Sequence, residues 1–182
     1  HRAWGTSDDP SLLGDDFEYT FASLPTKGEA ETAPWAGNYW PTYRDNLNYR
    51  WEGDDALSPA GKFAEAFSRE GLEDRISTEF GIESITTAKS CTADTDCIKA
   101  NGEVCAKRFG EDEGRCIETW FGICHAWAPA AIMEAEPVQS VTRNGVEFKV
   151  NDIKALVSLQ YTEGLTVKFM SLRCDDKGKG DD

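Results

Sequence analysis

The chemistry-bearing residue of this chain is a cysteine in residues 117–132. There Trp120-Phe121-Gly122-Ile123-Cys124-His125-Ala126-Trp127 sets a turn-competent glycine two residues before the thiol, and a small apolar run follows. This spacing predicts a helix beginning at Cys124, whose unpaired first-turn N–H groups and positive dipole end would stabilise a thiolate. A buried thiol or half of a disulfide fits the same position, since free cysteine is among the most buried residue types. A catalytic thiol also needs a base, normally a histidine oriented by Asp or Asn. The chain holds two histidines. His125 adjoins Cys124, but helix neighbours point about 100° apart, so it is badly placed to take the thiol proton. His1, at a terminus, is no better. A catalytic Cys124 therefore implies that base and acid lie outside this chain, as one incomplete catalytic domain, with residues 175–182 as a flexible tail or cleavage-prone loop.

The elements that must position Cys124 follow from patterning. Cys91, Cys97, Cys105 and Cys116 fall in C-x5-C-x7-C-x10-C among Thr, Asp, Asn and Gly, which reads as a loop-rich disulfide module over residues 91–116. Zinc is the rival for four clustered cysteines, but structural zinc ligands usually come in closely spaced pairs, and these spacings are wider. Of the three connectivities open to four cysteines, Cys91–Cys105 with Cys97–Cys116 is the expected one. Cys124 and Cys174 are left over; they pair with each other, or Cys174 stays unpaired within the chain and meets a partner beyond it. Asp94, Asp96, Glu111, Asp112 and Glu113 in the same loops are hard-oxygen candidates for calcium, although no EF-hand spacing is present.

Before the module, residues 1–33 read as an irregular acidic arm. In residues 34–90 an aromatic-rich stretch precedes short helices. Trp35, Tyr39, Trp40, Tyr43, Tyr49 and Trp51 alternate with Asn, Gly and Pro, so the stretch either packs over the core or lines a groove for carbohydrate or peptide. Ser58-Pro59 starts a helix, with Ser58 as N-cap, ending near Gly71. A second short helix is expected over residues 72–80. The charged faces of both, with Lys62, Glu65, Arg69, Glu70, Glu73, Asp74 and Arg75, read as solvated surface. In residues 117–174 the Cys124 helix, interrupted at Pro129, leads to a hairpin turning on Asn144-Gly145. A helix capped by Asn151 or Asp152 follows, then a strand over residues 165–170. The fold class expected is α+β: short helices, a small antiparallel sheet and a disulfide-stabilised loop module.

Lys and Arg total 19 against 33 Asp and Glu, a formal charge of -14, which argues against nucleic acid or an anionic membrane as partner. No apolar run of about 18 residues is present to span a bilayer, and no charged-then-apolar leader opens the chain. The paired cysteines point to an oxidising, extracellular setting.

Four ordered stretches add a resemblance. They are Pro34-Trp35-Ala36-Gly37-Asn38-Tyr39-Trp40-Pro41, Leu57-Ser58-Pro59-Ala60-Gly61-Lys62-Phe63, Trp120-Phe121-Gly122-Ile123-Cys124-His125-Ala126-Trp127, and residues 146–156 from Val146 to Leu156. Together they resemble the secreted transglutaminases of oomycetes such as Phytophthora, the cell-wall elicitor family. The resemblance implies a papain-like cysteine-bearing helix and a Cys-His-Asp arrangement. It also implies calcium-dependent joining of protein glutamine to lysine or other amines through a Cys124 thioester, and a peptide epitope recognised by plant hosts. On this reading the backbone around Gly122 and Cys124 stabilises the oxyanion, Trp120 and Trp127 shape the site, and Trp35, Tyr39 and Trp40 are substrate-groove candidates. The rest of the same protein is the implied partner that supplies the base. A secreted interaction module without catalysis, or a papain-like cysteine peptidase, are the alternatives.

Overall fold

The computed structural model describes Asp16, residues 18–29 and residues 31–164, with only the backbone of Glu163. The chain divides into two units, His1–Glu29 with Leu165–Asp182, and Ala30–Gly164. Of the first, the described residues are irregular and exposed, with one 3-10 turn at Phe21–Ser23. The strand expected over residues 165–170, Cys174 and the tail lie outside the described residues.

The second unit is mixed α and β. It runs α1 (Pro59–Phe67), α2 (Leu72–Glu79), β1 (Ser90–Cys91), β2 (Glu103–Lys107), β3 (Gly114–Glu118), α3 (Cys124–Met133), β4 (Val141–Arg143), β5 (Val146–Phe148) and α4 (Val150–Gly164). Local chemistry sets several of these boundaries. Ser58 caps α1 by accepting the Gly61 N–H at 2.9 Å, with Pro59 as the first helical residue. The helix ends at Phe67 rather than near Gly71, because Ser68 takes a left-handed conformation at its C-cap. Gly71 instead opens α2, again left-handed. Asn144 and Gly145 both have positive φ and turn the β4–β5 hairpin, and the Asn144 amide ties that turn to the Ala66 carbonyl. Residues 90–118 form a three-stranded antiparallel sheet of order β1-β3-β2 where a loop-rich module was expected. The disulfides Cys91–Cys105 and Cys97–Cys116 cross it. Helix α3 continues through Pro129, although proline has no N–H to offer the His125 carbonyl.

Small residues let α3 and α4 approach closely. Ala126, Ala130 and Ala131 of α3 are buried, as is Ala155 of α4, and they share clusters with Trp35, Trp40, Leu47 and Ile123. The aromatic stretch lies over these helices through two 3-10 turns, Thr42–Arg44 and Asn46–Asn48, joined by left-handed Asp45. The Asp45 carboxylate accepts from Ser77 Oγ, the Ile82 N–H and Asn48 Nδ2, so one buried acid binds the stretch to α2 and the turn after it.

Two lysines read as surface or not singled out prove to be buried. Lys62, placed on a solvated face by patterning, sends its ammonium to Asp152 (2.6 Å) and Glu52, and Glu52 also pairs with Lys149. Asp152, fully buried, further accepts from Trp51 Nε1 at 2.8 Å and from the Lys149 N–H at 2.7 Å. It therefore sits at the third position of α4 and reaches back to the residue preceding the helix, rather than being the N-cap itself. Lys154 donates to the Ala36 carbonyl and to Glu136, tying α4 to segments on either side of α3. Of the other charges expected in solvent, Glu73 is half-buried against Ser58 Oγ, and Asp74 pairs with Arg108.

The Lys62 network makes stability depend on pH. Burial opposes ionisation of Glu52, but the hydrogen bonds and charges of Lys149 and Lys62 outweigh it and hold the carboxyl below its usual range. Burial likewise opposes the charge of Lys62, and Asp152 with Glu52 outweighs it, raising that ammonium above the usual lysine range. A depressed carboxyl contributes stability above its unfolded pKa of about 4.3 and loses it as pH falls through the folded value. A raised ammonium contributes below about 10.4 and loses it as pH rises through its folded value. Glu52→Gln is therefore expected to flatten the fall of the thermal midpoint on the acid side of about pH 4.3. An acid slope identical to that of the unsubstituted protein would remove Glu52 from this account.

Candidate active site

The thiol is placed by a short antiparallel bridge between two distant segments. Pro41 and Gly122 are bridge partners; the Thr42 N–H donates to the Phe121 carbonyl at 3.0 Å, and the Ile123 N–H to the Tyr39 carbonyl at 2.8 Å. The Tyr39 hydroxyl adds a bond to the Thr119 carbonyl at 2.8 Å. The bridge needs glycine for space. A Cβ at Gly122 would stand 2.4 Å from the Tyr39 carbonyl oxygen and 2.7 Å from its ring. Gly122 is not among the glycines with positive φ, so close approach and not backbone freedom is the constraint.

Buried Ile123 then leads into α3, and its carbonyl accepts the N–H groups of Ala126 and Trp127. The N–H groups of Cys124 and His125 have no acceptor among the described residues. Cys124 is the first residue of α3, a free thiol and exposed. The arrangement thus offers a nucleophile with an unengaged N–H of its own residue, the donor type that stabilises an oxyanion. His125 is exposed and is the only histidine among the described residues.

The other expected site residues divide. Trp120 is 58% exposed, packs on Phe121 with centroids 4.1 Å apart, and donates its Nε1–H to the Glu118 carboxylate. Trp127 is half-buried on α3, against Gly37, where an added Cβ would lie 2.6 Å from its Nε1. As groove candidates, Trp35 and Trp40 are corrected: at 3% and 1% exposure they pack in the core. Burial of so much aromatic surface outweighs presentation to a ligand. Trp35 also spends its Nε1–H on the Glu134 carbonyl, at the C-terminal end of α3. Tyr39 is half-buried, and its backbone holds the bridge.

Patterning missed Asn46 and Asp45. Asn46 is fully buried and donates its side-chain amide to the Trp40 carbonyl at 3.0 Å, which closes the turn that follows the bridge residue Pro41. The available signal was the repeated Asn and Asp among the aromatics, residue types that tolerate the left-handed region.

Two of the loop acids are engaged by backbone donors. Asp94 Oδ1 accepts the Cys105 N–H at 2.8 Å, and Asp96 Oδ2 accepts the N–H groups of Thr92 and Ala93. These backbone bonds hold the Asp96 carboxyl below its usual range. Among the described residues no three carboxylates converge; the one ligand-like group is Cys91, Cys97 and Cys116, whose sulfurs are in disulfides. A cleft of about 990 Å³ lies between the aromatic stretch, α1, α2 and β2, lined among others by Tyr43, Tyr49 and Arg108, and it does not include Cys124.

Comparison with known proteins bears on this arrangement directly. No curated protein matches the chain. The solved structure of the GP42 transglutaminase from Phytophthora sojae is similar at 46% sequence identity, with a TM-score of 0.72. The likeness covers 80% of this chain and 43% of that one, so this chain spans less than half the length of that relative. A family profile described as transglutaminase elicitor matches residues 10–176, nearly the whole sequence around the bridge and Cys124, and the chain belongs to the transglutaminase elicitor family.

Proposed function

We propose that the protein is a protein-glutamine γ-glutamyltransferase whose nucleophile is Cys124. The single observation that carries the reading is an exposed free thiol at the first residue of α3, in a chain that belongs to this family. The Cys124 thiolate attacks a glutamine carboxamide, and its own N–H helps hold the oxyanion. The C–N bond breaks, ammonia leaves, and a thioester remains. A lysine or other amine then attacks the thioester, releases the thiolate and leaves an isopeptide bond. The proton transfers fall to a histidine and an acid in the remainder of the protein, which the shorter coverage of the GP42 relative leaves room for. Exposed Trp120 and half-buried Trp127 flank the thiol in sequence and serve to limit water at the acyl-enzyme.

The two disulfides support a secreted protein, and no helix among the described residues is long and apolar enough to cross a membrane. An elicitor role belongs to the same proposal, as the family's description implies. The test is to incubate the full-length protein with a glutamine-rich protein and a fluorescent amine, alongside Cys124→Ser. Covalent amine incorporation that disappears in the serine variant is the expected result. Peptide-bond cleavage without incorporation would replace this reading with a peptidase, and incorporation that survives Cys124→Ser would remove Cys124 from it.

A further inference from the structure

Cys105 and Cys116 are bonded to different cysteines, yet they stand directly opposite each other in the β2–β3 ladder. In the same register the Thr119 N–H donates to the Gly102 carbonyl, so 102/119 is a hydrogen-bonded pair. Hydrogen-bonded and non-hydrogen-bonded pairs alternate in an antiparallel ladder, which makes 105/116 a non-hydrogen-bonded pair. The outward N–H groups agree: that of Cys105 goes to Asp94 Oδ1, and that of Cys116 to the Lys89 carbonyl. Such pairs bring Cα atoms to about 4.5 Å with side chains close, inside the roughly 4.4–6.8 Å that a disulfide spans. The Sγ atoms of Cys91, Cys97 and Cys116 also lie within 4.8 Å of one another, and Cys105 is bonded to Cys91. All four sulfurs therefore form one cluster.

We propose that this cluster is a thiol-exchange site. A low-molecular-weight thiol converts the pairing Cys91–Cys105 and Cys97–Cys116 into Cys91–Cys97 and Cys105–Cys116, with the β2–β3 ladder intact. Cys105 is the point of attack, because it is half-buried and lines the open cleft, whereas Cys91 is 4% exposed. The incoming thiolate attacks Cys105 Sγ, forming a mixed disulfide and releasing the Cys91 thiolate. Cys91 attacks Cys97 Sγ, forming Cys91–Cys97 and releasing the Cys116 thiolate. Cys116 attacks the mixed disulfide at Cys105, closing Cys105–Cys116 and returning the incoming thiolate. Two disulfides enter and two leave, so no oxidant or reductant is consumed. In the starting pairing a disulfide ties the loop that carries Cys97 to β3; after exchange its disulfide runs only to its own start at Cys91, and hydrogen bonds such as Cys105 N–H to Asp94 are what still hold it to the sheet. An extracellular thiol thereby changes how firmly this loop is held.

The experiment uses the native protein with every free thiol first blocked by iodoacetamide. It is exposed to a catalytic amount of a monothiol, quenched with acid and digested with trypsin. The starting pairing joins peptides 90–99, 100–107 and 116–143 into one species. Exchange instead yields peptide 90–99 alone with an internal disulfide, and 100–107 joined to 116–143. A second cleavage before Asp94 distinguishes the remaining pairing, Cys91–Cys116 with Cys97–Cys105. The expected result is the exchanged pairing in excess of that third one under native conditions. No exchange in the native protein while a urea-unfolded control scrambles would overturn the proposal, as would predominance of the third pairing. Independently, Cys91→Ser/Cys97→Ser should close Cys105–Cys116 on air oxidation; two persistent thiols in the folded variant would sink it equally.

Discussion

Gly122→Ala in the full-length protein is expected to cut amine incorporation by about 100-fold, the scale on which roughly 1 Å of misplacement at a reacting group is felt. The added methyl would meet the Tyr39 carbonyl oxygen at 2.4 Å, the Tyr39 ring at 2.7 Å and the Trp40 carbonyl at 3.2 Å. Two of these are backbone atoms and cannot rotate aside. The Tyr39 carbonyl already accepts the Ile123 N–H, and its hydroxyl is anchored on Thr119, so relief of the clash means opening the bridge. Opening it moves Ile123, the carbonyl that receives the first-turn N–H groups of α3, and with it Cys124. The accompanying loss of stability should be about 1–3 kcal/mol, typical of overpacking, and readable from chemical denaturation. An alanine variant with incorporation within about twofold of the unsubstituted protein, a difference of ~0.4 kcal/mol, would mean the bridge does not position the thiol.

Asp152→Ala should give the largest loss of stability. It leaves the Lys62 ammonium with Glu52 alone, and strands the Trp51 indole N–H and the Lys149 N–H in a buried place. Breaking one side of a buried pair costs about 3–5 kcal/mol, against a total of ~5–15 for an ordinary domain. At ~2–4 °C per kcal/mol for a chain of this size, the thermal midpoint should fall by about 6–20 °C. Replacing both partners, as Lys62→Met with Asp152→Leu, should recover the part of that loss due to the uncompensated Lys62 charge, while the Trp51 and Lys149 N–H groups stay stranded. A midpoint within ~2 °C for Asp152→Ala would show that water, not the network, satisfies these groups. The prediction concerns the scaffold; the exposed thiol at the start of α3 is a separate element.

Legibility in the sequence followed the range of the forces involved. The Ser58-Pro59 start of α1 and the Asn144-Gly145 turn were readable, because each depends on residues within three or four positions. The α3 start at Cys124 was readable for the same reason. Lys62 was not: its place on a charged helix face is that of a solvated lysine until Asp152, 90 residues away, meets it in the core. The indoles of Trp35 and Trp40 carry the same composition whether they line a groove or fill the core, and only packing against α3 and α4 distinguishes the two. The sheet in the disulfide module was hidden because Glu103–Lys107 and Gly114–Glu118 are short and of mixed polarity, so period-two alternation is weak.

By itself the sequence determined where the thiol sits relative to its helix, which cysteines crowd together and where the hairpin turns, since propensity, capping and turn chemistry act locally. The tertiary structure alone decided that Gly122 and Pro41 bridge, that Asp152 holds Trp51 from 101 positions away, and which aromatics are withdrawn from solvent. Those outcomes depend on desolvation and close packing between distant segments, and neither quantity exists until the chain has folded.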